Sequence, residues 1–317
     1  MILTLHDLRH GCASRWLYRW LRHHFPRGGH YGAIYRALIQ AERLDWASAL
    51  AEYGWARGYT RLAFIREDIG AMMHLAERLN SLRNAATPLP PQGDYAPKIA
   101  SARDGERWHN GVYGSRIACA GDHFQLGNHA QQSQLACCGS HCHLGWRGDH
   151  GELALAGYGA QIACSGARVR LASCGYQAHI ASNGKQVRIA LSGNAAYVSS
   201  AGAHARIVNG GTRAHLAACG PESHLANTGD LARLVSFGDT AKIINSGDGV
   251  DITAVGASSV IASVAPVNSI VLGVGGCAAL AYHDGKRIRF ALAVEGEEGI
   301  RAGVRYRLDH THRFIAC

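Results

Sequence analysis

Between Ile117 and Ile270 an aliphatic residue falls on every ninth position without a gap, through Leu126, Leu135 and Leu144 to Ile252 and Ile261. Four positions after most of these beats stands a glycine, Gly121 and then every ninth residue from Gly139 to Gly256. A small or β-branched residue precedes the beat by two positions, and alanine usually follows it by one. So strict a short period is the signature of a solenoid, in which one unit cannot bury its own apolar face and stacked neighbours do it together.

Nine residues have room for one short strand and one turn, so two or three units must combine to close a coil. Stacked coils lie about 4.8 Å apart, and like residues should then form ladders at the coil length. Such ladders occur at 18: Asn209, Asn227 and Asn245; Arg170, Arg188 and Arg206; Tyr158 and Tyr176; Cys119 and Cys137; Asp230 and Asp248. At 27 the same residues meet unlike partners, as Arg170 with Tyr197. The sequence therefore predicts a mainly β chain, a two-sheet parallel β-solenoid with 18-residue coils of two nonapeptides each. Counting degenerate beats at Ile99 and Trp108, about ten coils make a rod on the order of 45 Å long. The ladder glycines are expected to supply positive φ at the turns.

The flanks read differently. Residues 1–85 space aromatic and aliphatic residues by three or four, as at Trp16, Leu17, Trp20 and Leu21, and predict a small all-α domain of four or five helices. Breaks are expected at 25–29 and 57–58, Asp45 is placed as an N-cap, and a further helix over 67–82. Pro88, Pro90, Pro91 and Gly93 mark a linker over 86–97, the repeats fill 98–274, and 275–317 predict an antiparallel cap that blocks edge pairing between rods. The first residues lack a basic stretch leading into an apolar core, and no run of about 18 apolar residues occurs, so a soluble, cytoplasmic protein without a transmembrane segment is expected. Most of the ten cysteines fill small-residue slots of the repeat, which favours reduced, buried thiols over disulfides.

Chemistry is sparse. The densest thiol and imidazole cluster, Cys137-Cys138-Gly139-Ser140-His141-Cys142-His143, puts Cys142 in an inward slot and His143 in an outward one, so the two diverge and no metal is expected. The Gly-Asp pairs, such as Gly121-Asp122 and Gly229-Asp230, lack the order of calcium-binding glycine–aspartate repeats and read as turns. The slot just before the beat distinguishes the two faces. One carries Arg170, Arg188, Arg206, His224 and Lys242; the other carries His143, Gln161, His179, Tyr197, His215 and Arg233. The histidines of the second face lie two coils apart, nearly 10 Å, too far to share a metal. Cations about 4.8 Å apart repel unless anions intervene, so the first row is either a docking strip or a solvated strand face. Arg15, Arg19 and Arg22 lie beside Trp16 and Trp20 on a segment that could grip nucleic acid or a membrane; the ordinary alternative is an amphipathic helix burying both tryptophans.

The repeat, written Gly-Asp-x-Ala-x-Ile-Ala-x-Ser, resembles the repetitive region of uncharacterised bacterial and prophage-encoded nonapeptide-repeat β-solenoid proteins. Asp284-Gly-Lys-Arg-Ile-Arg-Phe290 and Tyr306-Arg307 are similar to the tails of those proteins, and Phe25-Pro26, Tyr31 and Leu44-Asp45-Trp46-Ala47 to helical N-terminal modules attached to bacterial repeat proteins. The resemblance implies no known activity, and no cofactor is expected. The expected function is that of a non-enzymatic scaffold, a helical adaptor on a rigid rod that binds a protein partner, with nucleic acid or another polyanion and homo-oligomer formation as other possibilities. The contrasting expectation is an enzyme or toxin-like effector with a site at the helix–solenoid junction near Trp108 and His109.

Overall fold

In the computed structural model, residues 1–11, 15–81, 87–88 and 98–317 are described. Almost all of the expected linker at 86–97 lies outside them. Among the described residues the N-terminal region holds five helices: α1 (Leu5–Gly11), α2 (Arg15–His24), α3 (Tyr31–Gln40), α4 (Leu44–Gly58) and α5 (Leu62–Ser81). Two sequence expectations fail here. Asp45 lies inside the first turn of α4 and does not cap it, and α5 starts five residues before the expected Glu67 because Leu62, Phe64 and Ile65 already belong to its apolar face.

The solenoid follows the 18-residue register. Strands alternate between two parallel sheets, and each pairs with the strand 18 residues on, as Arg170 with Arg188 and His179 with Tyr197. One sheet runs from Lys98–Ser101 through Arg116–Cys119 and Arg188–Leu191 to Val260–Ser263; the other runs from Arg107–Asn110 through His143–Trp146 and His179–Ser182 to Val267–Leu272. The beat residue and the residue two positions later point inward and are buried. Polar inward residues satisfy one another along the stack. Asn209 Nδ2 donates to Asn227 Oδ1 and Asn227 Nδ2 to Asn245 Oδ1, each at 2.7 Å, and each amide also donates to a turn carbonyl two residues on. Buried amides are tolerated because every coil supplies the next one's partner.

The ladder glycines do a different job from the one expected. They are not in the left-handed region; a Cβ on Gly193 would sit 1.9 Å from the carbonyl oxygen of Gly175, one coil earlier. Glycine is needed because the coils stack through that point. The left-handed backbone falls two residues later, on His123 (φ 56), Gln186 (φ 57) or Leu231 (φ 56). It is held by inter-coil hydrogen bonds such as His123 N–H to Ser140 O at 2.8 Å, which offset the steric cost of a side chain there. The Gly-Asp carboxylates accept from the turn one coil ahead: Asp122 from Ser140 N at 2.7 Å, Asp230 from Asp248 N at 2.8 Å.

At the C-terminal end the parallel stack takes one more strand, Cys277–His283, after a one-residue slip in register. Ile288–Val294 then pairs with it antiparallel, and Arg305–Leu308 with Phe314–Ala316 closes the other sheet in the same sense.

Candidate interaction face

The two sheets have opposite fates. The sheet containing His143–Trp146 is covered by the helices, and that containing Arg188–Leu191 is open. On the covered sheet α5 packs across the strands Gln125–Asn128, His143–Trp146, Gln161–Cys164, His179–Ser182 and Tyr197–Ser200. The helical core and the outward residues Ala163, Ala181, Ala217 and Val235 form one apolar cluster. Approach is closest at the C-terminal end of α5, where a Cβ on Gly127 would lie 2.3 Å from Leu79 O and one on Gly145 2.8 Å from Ala76 Cα.

Polar locks hold this contact. Asp68, fully buried on α5, accepts from Tyr31 Oη at 2.8 Å and Ser199 Oγ at 3.1 Å, and pairs with His179 Nε2 at 3.1 Å. Three residue types of a hydrolytic triad are thus present, but the carboxylate lies between histidine and serine and no group of the three meets solvent. Trp55 fills the space between His179 and His215, 6.5 and 6.2 Å from their ring centres. Burial pushes His143 down to about 3 and His215 to about 4, and burial raises the Tyr31 and Tyr35 phenols well above their ordinary range. Arg107 pairs with Glu42 at 3.1 Å, and the Arg233 guanidinium lies 4.7 Å over the Tyr59 ring. Trp108 and His109, expected at an enzymatic junction, pack against Phe124 (5.3 Å) and His129 (4.6 Å).

The open sheet keeps the alternation that the covered one loses, with inward residues buried and outward ones exposed. Arg170, Arg188, Arg206, His224 and Lys242 stand in register on successive strands, as the 18-residue spacing requires. The row extends beyond these five residues. Lys98, Arg116, Gln134 and Glu152 occupy the same slot on the preceding strands, each directly before its beat, a signal present in the sequence. Glu152 pairs with Arg170 at 3.1 Å; among the described residues Arg188 and Arg206 have no carboxylate within 4.0 Å. Partial burial, and then Lys242 and Arg206 on either side, lower His224. Beside the row, Arg168, Gln186 and His204 on the turns help to enclose a polar cleft of about 530 Å³.

Two residues along each strand lies an apolar row: Ala118, Ala136, Ala154, Ala172, Ala190, Val208, Ala226, Ile244 and Ala262. Its first six members, Ala118 to Val208, bound a trough of about 950 Å³ with the polar row from Lys98 to Arg206. Through the cap strands the apolar row continues in register to Ala279 and Leu292, with Val294 and Phe290 on either side. Ile244 and Leu292 are 61% and 67% exposed.

Arg15, Arg19 and Arg22 do not join this face. Leu17 and Leu21 of α2 belong to the core that closes on the covered sheet, which places the three arginines away from the strip. The expected burial of both tryptophans is corrected: Trp16 is 68% exposed with the Arg19 guanidinium 5.5 Å over its ring, because the leucines take the inner face and Trp20 only half enters. Cys137 and Cys142 point inward with their Sγ atoms 3.0 Å apart, while His143 points outward beneath the helices. Among the described residues no three His, Cys, Asp or Glu side chains are placed to hold a metal ion. Nor is any described helix long and apolar enough to cross a membrane.

Residues 1–59 match the family model described as the YdhT N-terminal domain. Over 51 residues the chain is 69% identical to a protein of Escherichia coli (strain K12) named Uncharacterized protein YdhT; the match covers 16% of this chain and 19% of that protein. No solved structure matches. The segment that is similar to a known family thus carries α1 to α4 and stops short of α5, the helix that lies across five strands of the covered sheet.

Proposed function

We propose that the chain is a non-enzymatic interaction scaffold, in which the helical region is fixed to one sheet and the opposite sheet binds a protein partner. The observation that carries this reading is the uncovered apolar row of the open sheet, from Ala118 to Leu292, beside a row of cations with one carboxylate among them. Contiguous exposed apolar surface with a polar border is what interaction sites present and what solubility alone disfavours. A rigid stack suits this use, since its flat face is held by hydrogen bonds between coils and needs no ordering on binding.

Truncating the helices would uncover His143, Gln161 and His179, so single-site probes on the full chain are the cleaner test. A photo-crosslinking residue at Ala190 or Val208, in cells that make the protein naturally, should give adducts with another protein, while the same residue at exposed Lys185, on the turn edge, should not. Equal labelling at both positions, or none on the open face, would remove the proposal. Adducts with nucleic acid alone would assign the strip to polyanion binding.

A further inference from the structure

The geometry points to the form of that partner: an amphipathic α-helix with an acidic border, laid along the rod axis on the open sheet's apolar row. This rests on the scaffold reading and adds the chemistry and direction of what binds.

The molecule contains its own precedent. On the covered sheet α5 runs across the strands: Asp68 meets Ser199 and Leu79 meets Gly127, four rungs away. Those rungs span about 19 Å at the usual strand spacing, and the eleven residues from Asp68 to Leu79 span about 17 Å at helical rise. The helix axis therefore follows the rod axis. One helical turn, about 5.4 Å, nearly matches one rung, about 4.8 Å, so a side chain on each turn faces one strand for several turns. The row under α5 is made of small residues, Gly127, Gly145, Ala163, Ala181 and Ser199, which let a helix backbone come close. In the same slot the open sheet has Ala118, Ala136, Ala154, Ala172 and Ala190. Its surface is a second helix bed of the same grain, without the helix.

Charge decides which helix fits. Along the border of this bed stand Arg170, Arg188 and Arg206, one per rung, with Lys98, Arg116, Gln134 and Glu152 before them and His224 and Lys242 after; Glu152 neutralises only Arg170. A helix with glutamate or aspartate every third or fourth residue along one edge presents one carboxylate per rung to that border. The exposed amphipathic helix α2 of a second copy does not supply it, since it carries Arg15, Arg19 and Arg22 and would repel the strip. A nucleic acid would meet the arginines but leave the alanine row and the Ile244 and Leu292 patch without an apolar partner. Towards the C-terminal end, where Val260 and Val294 replace the cations, the same helix should carry large apolar side chains.

The test uses full-length protein and a fluorescein-labelled helical peptide of about 25 residues, with alanine and leucine on one face and glutamate every third or fourth residue on one border. Anisotropy should show binding that weakens with salt. Arg188→Glu and, separately, Ala190→Arg should each weaken it about tenfold or more while the circular dichroism stays unchanged. A peptide with lysines on the border should not bind. If it binds as well as the glutamate peptide, or if Ala190→Arg has no effect, the helix proposal is wrong. Sedimentation showing self-association that Ala190→Arg abolishes would assign the bed to a second copy and overturn it too. Failure of the peptide alongside crosslinks at Ala190 would remove the helix and leave the scaffold standing; failure of both would remove both.

Discussion

The two sheets are built from the same nine-residue unit and differ in what lies on them. Beneath the helices, outward residues are mainly histidine, glutamine, tyrosine, glycine and alanine, and all are wholly or partly buried; on the open side they are mainly charged residues and alanine, and most are exposed. A repeat therefore specifies the rod, and the choice of outward residue specifies which face is closed. Inward residues do not distinguish the sheets: Leu144 and Leu153, or Ile180 and Ile189, are interchangeable in kind.

The comparison can be broken most severely at the glycines under α5. Gly127→Val should displace the helix and cost on the order of 4 kcal/mol in urea unfolding, because its Cβ would collide with the Leu79 backbone; Ala172→Val at the same slot of the open sheet should stay within about 0.5 kcal/mol. Parity between the two variants would mean that the covered face is not tightly packed. Next is Asp68→Ala, which strands three buried donors, Tyr31, His179 and Ser199, and should cost about 3 kcal/mol; it should also make the α5 amides exchange faster than those of the open strands.

A smaller effect follows from acid. His143 and His215 have folded values of about 3 and about 4, below the ordinary value of about 6.5. Above that pH neither state takes the proton, so the two histidines contribute nothing. As the pH falls the unfolded chain binds protons that the folded one refuses, and stability declines by up to about 2 kcal/mol between pH 6.5 and 5.5. His141 and His123 beside His143, and Arg233 beside His215, act in the same direction. Exchanging both histidines for glutamine should flatten urea midpoints measured across this range, and an unchanged slope would place the acid sensitivity elsewhere. The smallest effect belongs to the open face: Arg188→Ala, relieving repulsion from Arg170 and Arg206, should be neutral or stabilising by a few tenths of a kcal/mol in thermal melts.

The coil length was legible because stacking puts identical residues in contact, and chemistry such as the Asn209–Asn227–Asn245 ladder only works at one spacing. The distinct characters of the two faces were legible for the same reason. Which face the helices choose was not, because Ala163 and Ala172 look alike until something covers one of them. Asp68 was equally hidden: an acid on an amphipathic helix reads as solvated unless the histidine and serine it meets, more than a hundred residues later, are known to be outward on the docked sheet. Gly127 and Gly145 carried the available hint, replacing the usual alanine where α5 comes closest. The positions of the ladder glycines are legible in the period but their role is not, since short periods show where a chain turns and not how closely successive turns touch.

Alternation of units between sheets also makes the length of this protein a quantised quantity. Gain or loss of a single nine-residue unit would pass every later strand to the opposite sheet, sending arginines beneath α5 and histidines into solvent, although each coil could still close. Steps of 18 residues leave both faces in phase. Viable variation in rod length should therefore come in whole coils, and a lineage that changed by half a coil would have to exchange its two surfaces.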